Sequence, residues 1–159
     1  MIRNPVTGQR SSRWAFMQRF EIPDRRDRSR TYLRRLRIVQ TPSFGVYLHR
    51  IYLPDEDRDP HDHPWPFVSL VLGGGYVEEV FEAASRRSAD AETWKEVRGR
   101  WSLHRMPLSL AHKITTLQPG TRTLVLVGRR RRQWGFWTRD RWVPWTEYDD
   151  GAGPDPFDS

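Results

Sequence analysis

Between residues 34 and 145 the apolar positions fall on every second residue or in short runs, and Gly, Pro and Asp break them. RRLRIVQ (34–40) and GVYLHRIYL (45–53) flank Thr41-Pro42-Ser43-Phe44, a turn between two strands. PFVSLVL (66–72), YVEEVFE (76–82), TWKEVR (93–98) and RWSLHRM (100–106) follow. AHKITTL (111–117), RTLVLVG (122–128), WGFWT (134–138) and RWVPW (141–145) complete a series of ten short strands. Such a series predicts an all-β sandwich or barrel. The best candidate for a helix, residues 24–39, has arginines at helical spacing. Its β-branched end and the Thr-Pro after it favour a strand for at least the second half. AASRRSADAE (83–92) is poor in large apolar residues and reads as a hairpin loop.

A chain of 159 residues is of single-domain length and can bury roughly two-thirds of its unfolded surface. The expected organisation is a basic arm over residues 1–30, a β-barrel over 31–148 and a disordered acidic tail over 149–159. Zero cysteines exclude disulfides, thiolate zinc sites and cysteine nucleophiles, so any metal must be held by nitrogen or oxygen. The formal charge of +7 is uneven: residues 1–50 hold twelve arginines against three acidic residues. That half predicts an anionic ligand or non-specific contact with nucleic acid, although a solvated arginine-rich surface explains it equally. No apolar run is long enough to span a bilayer. The first sixteen residues, MIRNPVTGQRSSRWAF, lack an apolar segment of secretory length, so the chain reads as cytoplasmic.

Chemistry is suggested by DPHDHPWPF, residues 59–67. Strand residues i and i+2 share a face, so His61 and His63 can project together while Asp62 points away. Two imidazoles alone are a weak signal. In RMPLSLAHKIT (105–115), Pro107 begins a turn that leads to His112, a possible third ligand. His49, His104 and Glu79 are candidates for proton transfer, each also readable as an ordinary strand residue. Gly73-Gly74-Gly75 precedes a strand rather than a helix, which makes it a tight turn and not a phosphate loop. RRRR (129–132) leads into a segment with four of the eight tryptophans. Arg129, Arg131, Trp134 and Tyr76 are therefore candidates for holding an anionic substrate, or else parts of a barrel end.

These stretches resemble the two motifs of the cupin superfamily. His61, His63 and Gly74 or Gly75 match the first motif, and Pro107 and His112 match the second. The HxHPWxF, GGY and WGF segments are similar to small stand-alone cupins of RmlC-like fold and unassigned function. The resemblance implies a double-stranded β-helix, or jelly roll, that pairs as a homodimer. It also implies a divalent metal on His61, His63 and His112: Fe(II) by preference, with Zn(II), Mn(II) or Ni(II) as alternatives. The motif's glutamate would fall at Phe67 or Val68 and is absent, Ser109 replaces a glycine, and Thr116 replaces an asparagine. A set of three neutral ligands results, without a carboxylate to offset the metal's charge. The implied function is a metal-dependent enzyme of dioxygenase type acting on a small molecule, with an anion as one option. Alternatives are a sugar or sugar-phosphate isomerase and a non-catalytic protein binding a small anion or nucleic acid.

Overall fold

A computed structural model describes residues 2–3, 10–11, 14–24, 26–55, 59–82, 93–139 and 141–148. The described residues hold thirteen strands and no helix. They are β1 (Ile2–Arg3), β2 (Arg10–Ser11), β3 (Ala15–Pro23), β4 (Thr31–Gln40), β5 (Gly45–Ile51), β6 (Phe67–Gly73) and β7 (Tyr76–Glu82). Then follow β8 (Thr93–Arg98), β9 (Leu103–Met106), β10 (Leu110–Leu117), β11 (Arg122–Val127), β12 (Gly135–Trp137) and β13 (Trp142–Pro144). One sheet has the order β3-β4-β5-β11-β6-β9. A second has β10-β7-β8, beside the hairpin β12-β13, and β1 pairs with β2 alone.

His61 joins the second sheet to that hairpin. Its backbone bridges His112 on one side and Phe136 on the other, with His61 and His112 exchanging two N–H···O bonds of 2.9 Å. Asp62 N to the Gly135 carbonyl (3.1 Å) and Trp137 N to the Pro60 carbonyl (2.7 Å) extend the pairing. The segment thus lies extended between β10 and β12, bridged to both at His61.

The two sheets pack face to face with apolar clusters between them. At one end Ile22, Leu33, Ile51 and Val71 of the large sheet meet Tyr76 and Ile114 of the other. Farther along, Tyr47, Phe67, Met106, Val125 and Val127 form a second cluster. Period-2 burial is clean in β6, where Phe67, Ser69, Val71 and Gly73 are buried and the residues between them are not. The glycines make the crossing from β6 to β7. Gly74 has φ of +64°, and a Cβ there would lie 2.6 Å from Thr121 Oγ1 and 2.7 Å from Thr121 backbone. A side chain is therefore excluded twice, by torsion and by space.

Every one of the ten expected strands is present, some trimmed by one to three residues. Three strands were not expected, all inside the segment read as an arm: the two-residue β1 and β2, and the longer β3. β3 pairs antiparallel with β4 from Ala15↔Gln40 to Pro23↔Thr31, at the edge of the large sheet. Only Ile22 within it is buried, and Phe16 is 74% exposed, so its sequence carries no alternation to read. The expected loop over 83–92, the tail over 149–159 and most of residues 1–12 lie outside the described residues. No helix among the described residues is long and apolar enough to cross a membrane.

Candidate metal centre

Between the sheets lies a cavity of about 210 Å³. His61, His63 and His112 converge at it, with their ligand-capable nitrogens all within 4.8 Å of one another. His63 Nε2 lies 2.9 Å from His112 Nε2, and the His61 ring centroid is 5.1 Å from that of His63 and 4.9 Å from that of His112. Two metal–nitrogen bonds of about 2.1 Å span up to about 4.2 Å, so a small ring rotation brings all three donors onto one ion. The donor set fits a divalent metal.

Each ligand is held by its own support. His61 and His112 are fixed to each other through the backbone. His112 Nδ1 is 2.5 Å from Glu78 Oε2 inside the second sheet, and Arg98 Nε donates to Glu78 Oε1 at 2.7 Å. Nδ1 therefore carries a proton, which leaves Nε2 as the nitrogen that would meet a metal. Arg132 supports His63 by donating to its carbonyl (3.2 Å), to the Leu108 carbonyl (2.7 Å) and to Asp62 (3.1 Å). One guanidinium thus ties the first histidine segment to the turn that delivers His112. Asp62 points away from the cavity, as strand parity requires. It accepts from Gly135 N (2.9 Å), Trp137 Nε1 (3.1 Å) and Trp142 Nε1 (3.0 Å), which anchors the β12-β13 hairpin.

The glutamate position is settled by parity. Phe67 faces inward and sets its ring edge-on to His63, with centroids 4.8 Å apart, while Val68 pairs with Arg105 on the neighbouring strand. A carboxylate is nevertheless close by, one residue removed from the ligand atoms. Glu78 is fully buried, so the expectation of a site without compensating negative charge needs correction. Burial pushes Glu78 up, but the hydrogen bond and charge of His112, with Arg98, outweigh it and hold the carboxyl at about 2. His112 shows the complement: burial pulls it down, and Glu78 lifts it above the ordinary imidazole range. His63 has no such partner; burial and its two histidine neighbours keep it neutral.

The remaining candidates divide. Trp134 and Tyr76 line the cavity. Glu79 does not, because its neighbour Glu78 takes the inward face; Glu79 faces outward, 3.8 Å from Lys95 Nζ. Arg129 and Arg131 are exposed and outside the cavity lining, and the member of that run that reaches inward, to Asp62, is the half-buried Arg132. His49 lines the cavity and accepts a 3.0 Å hydrogen bond from Arg35 Nε. Arg35 was not singled out from the sequence, and neither was Asp55, which accepts from Ile114 N at 3.0 Å and from Tyr32 Oη.

His104 sits behind Tyr76, whose hydroxyl is 3.2 Å from its Nε2. Burial is the main cause of its low pKa, about 4 against an ordinary value near 6.5. Between those values the unfolded chain binds the extra proton, so stability rises with pH and is lost as pH falls from about 6.5 to about 4. The shift corresponds to something on the order of 3 kcal/mol. Urea unfolding of wild type and His104→Gln at pH 7 and pH 4.5 should therefore show a steeper acid loss in the wild type. Parallel losses would mean that His104 does not titrate in this way.

No protein-family model and no curated protein matches this chain. Solved structures do. "Fe(II)-HppE with alternative substrate (S)-1-HPP" superposes with a TM-score of 0.50 at 15% identity, over 70% of this chain and 56% of that one. Hydroxypropylphosphonic acid epoxidase from S. wedmorenis gives 0.49 at 14%, over 70% of this chain and 55% of that one. Recombinant oxalate oxidase in complex with glycolate gives 0.45 at 14%, over 61% of this chain and 47% of that one. This chain spans about half the length of each. Its fold is the cupin jelly roll.

Proposed function

We propose that this protein is a metal-dependent enzyme of dioxygenase type acting on a small anionic molecule, with Fe(II) held by His61, His63 and His112. The observation that carries the reading is the convergence of three supported imidazoles on a largely apolar cavity. The fold shared with an Fe(II) protein, HppE, is consistent with it. Bound there, Fe(II) would supply one-electron chemistry toward dioxygen, and three protein donors leave coordination positions for reactants.

The protein's own groups do the rest. Glu78 keeps the His112 proton on Nδ1, and Arg132 keeps His63 in place. Phe67, Trp134 and Phe136 set aromatic walls against His61 and His63. Hydrolytic chemistry would need a base within reach of a bound water. Three candidate bases in or beside the cavity are already committed: His49 to Arg35, Asp55 to Ile114 N and Tyr32, and Glu78 to Arg98 and His112. The apolar lining also suits a compact apolar body better than a polyhydroxylated sugar, which places isomerisation second.

Anaerobic reconstitution tests the proposal. The expected result is one Fe(II) per chain and oxygen uptake, measured by electrode, that requires both iron and an added small carboxylate or phosphonate. Equal uptake by protein loaded with Zn(II), which has no redox chemistry, would defeat the oxygenase assignment.

A further inference from the structure

Arg35 is the one charged side chain of the large sheet's inner face that lines the cavity. It stands on β4 directly opposite His49 on β5, and its Nε donates to His49 Nε2 at 3.0 Å. Its guanidinium carbon lies 5.4 Å from the Tyr47 ring centroid, so the planar group is stacked on one side and tethered at one nitrogen. No carboxylate among the described residues is within ion-pair distance of it. Two residues on, Arg37 adds a second positive charge beside Tyr47, with its guanidinium 5.8 Å from that ring and Nη1 donating to Gln18 (3.1 Å). Desolvating an arginine without an acidic partner is costly, and native chains keep such groups where a ligand completes them. Nη1 and Nη2 remain as a planar pair of donors, the geometry that matches the two oxygens of a carboxylate or phosphonate.

We infer that Arg35 is the anchor for the anionic head group of the substrate, on the large-sheet wall of the cavity that the three histidines also line. The inference rests on the function proposed above for the choice of site, but not on the metal for its physics. His49, whose Nε2 accepts from Arg35 Nε, is a positioning residue that orients the guanidinium. Ile22, Leu33, Ile51 and Trp65 line the space around it, so the substrate class is a small monoanion with an apolar or aromatic body. The charge expected of the Arg129–Arg131 run is supplied here, from a strand within the barrel.

Benzoate, phenylphosphonate and the neutral isostere benzamide are the probes, titrated calorimetrically into the full chain, both metal-stripped and loaded with Zn(II). At least one anion should bind both forms ten-fold or more tighter than benzamide, and the preference between the two anions identifies the head group. Arg35→Met should lose that anion by at least ten-fold while keeping its Zn(II) content, and Arg35→Lys should fall between. Because Arg35→Met removes an uncompensated cation, it should also melt higher than the wild type without ligand. A folded Arg35→Met that binds the anion within two-fold of wild type overturns the inference, as does equal binding of benzoate and benzamide. Anion binding that disappears with the metal but survives Arg35→Met assigns the head group to the ion instead. A chain that takes up no metal yet binds benzoate through Arg35 would defeat the metalloenzyme proposal and leave this one standing.

Discussion

Replacing His61 or His112 with alanine is expected to leave less than a tenth of the wild-type metal content after identical reconstitution. Loss of an outer partner of a ligand typically lowers metal affinity about 10–100-fold, and loss of one of only three donors should exceed that. The fold should survive, because the bridge between residues 61 and 112 is made by backbone groups that alanine retains. The two variants differ in a useful way. His61→Ala leaves the Glu78 network intact, whereas His112→Ala removes one hydrogen-bond partner of a fully buried carboxylate and should destabilise by about 1–3 kcal/mol. A metal that binds only the folded chain raises its stability by about 2.7 kcal/mol at a hundred times its dissociation constant. Thermal melts with and without metal should therefore separate for the wild type and coincide for both variants. A wild-type shift retained in His61→Ala would mean that the ion sits elsewhere.

The three-histidine cluster was legible because two rules act on residues close in sequence. Parity puts His61 and His63 on one face and Asp62 on the other, and a proline-led turn brings His112 to the neighbouring strand. The glycine turn was legible for a similar reason, since a strand followed it. What escaped were choices between the two faces of a strand. YVEEVFE has apolar residues in both phases, Tyr76 and Val80 in one and Val77 and Phe81 in the other, so alternation alone cannot say whether Glu78 or Glu79 is buried. The same holds for RRLRIVQ, where Arg34 faces outward toward Glu21 (2.9 Å) and Arg35 faces the cavity. Within RRRR the inward member is decided by Asp62, seventy positions upstream, a contact made only by folding. Edge strand β3 lay hidden because nine residues with one buried side chain carry no period. Chemistry written in residue types and short spacings was readable; the charges that tune it depend on the phase of each strand.

Glu78→Gln should cost the protein both stability and metal affinity, although it removes no ligand and changes the side chain by a single atom type. In the wild type both carboxylate oxygens accept: Oε1 from Arg98 and Oε2 from His112. A glutamine has one accepting oxygen for two donors. If its oxygen faces Arg98, its amide N–H faces His112 Nδ1. The imidazole must then move its proton to Nε2, where it blocks the lone pair a metal needs. If its oxygen faces His112, two donors meet at Arg98, whose guanidinium loses its buried anion and keeps only Glu96 at 3.6 Å. Breaking a buried ion pair by removing one partner costs about 3–5 kcal/mol, and the lower end is expected here because Arg98 retains Glu96. Metal affinity should fall about 10–100-fold, as for other outer partners of metal-bound histidines. The pH dependence distinguishes this from general damage. With its folded pKa held at about 2, Glu78 contributes stability that is complete above the unfolded carboxyl value near 4.5 and fades as pH falls toward 2. The stability gap between wild type and Glu78→Gln, measured by urea unfolding on metal-free protein, should hence be widest from about pH 5 up to the titration of His112, and close on acidification. A gap independent of pH down to 3 would show that Glu78 acts through shape alone and that its charge does not set the state of His112.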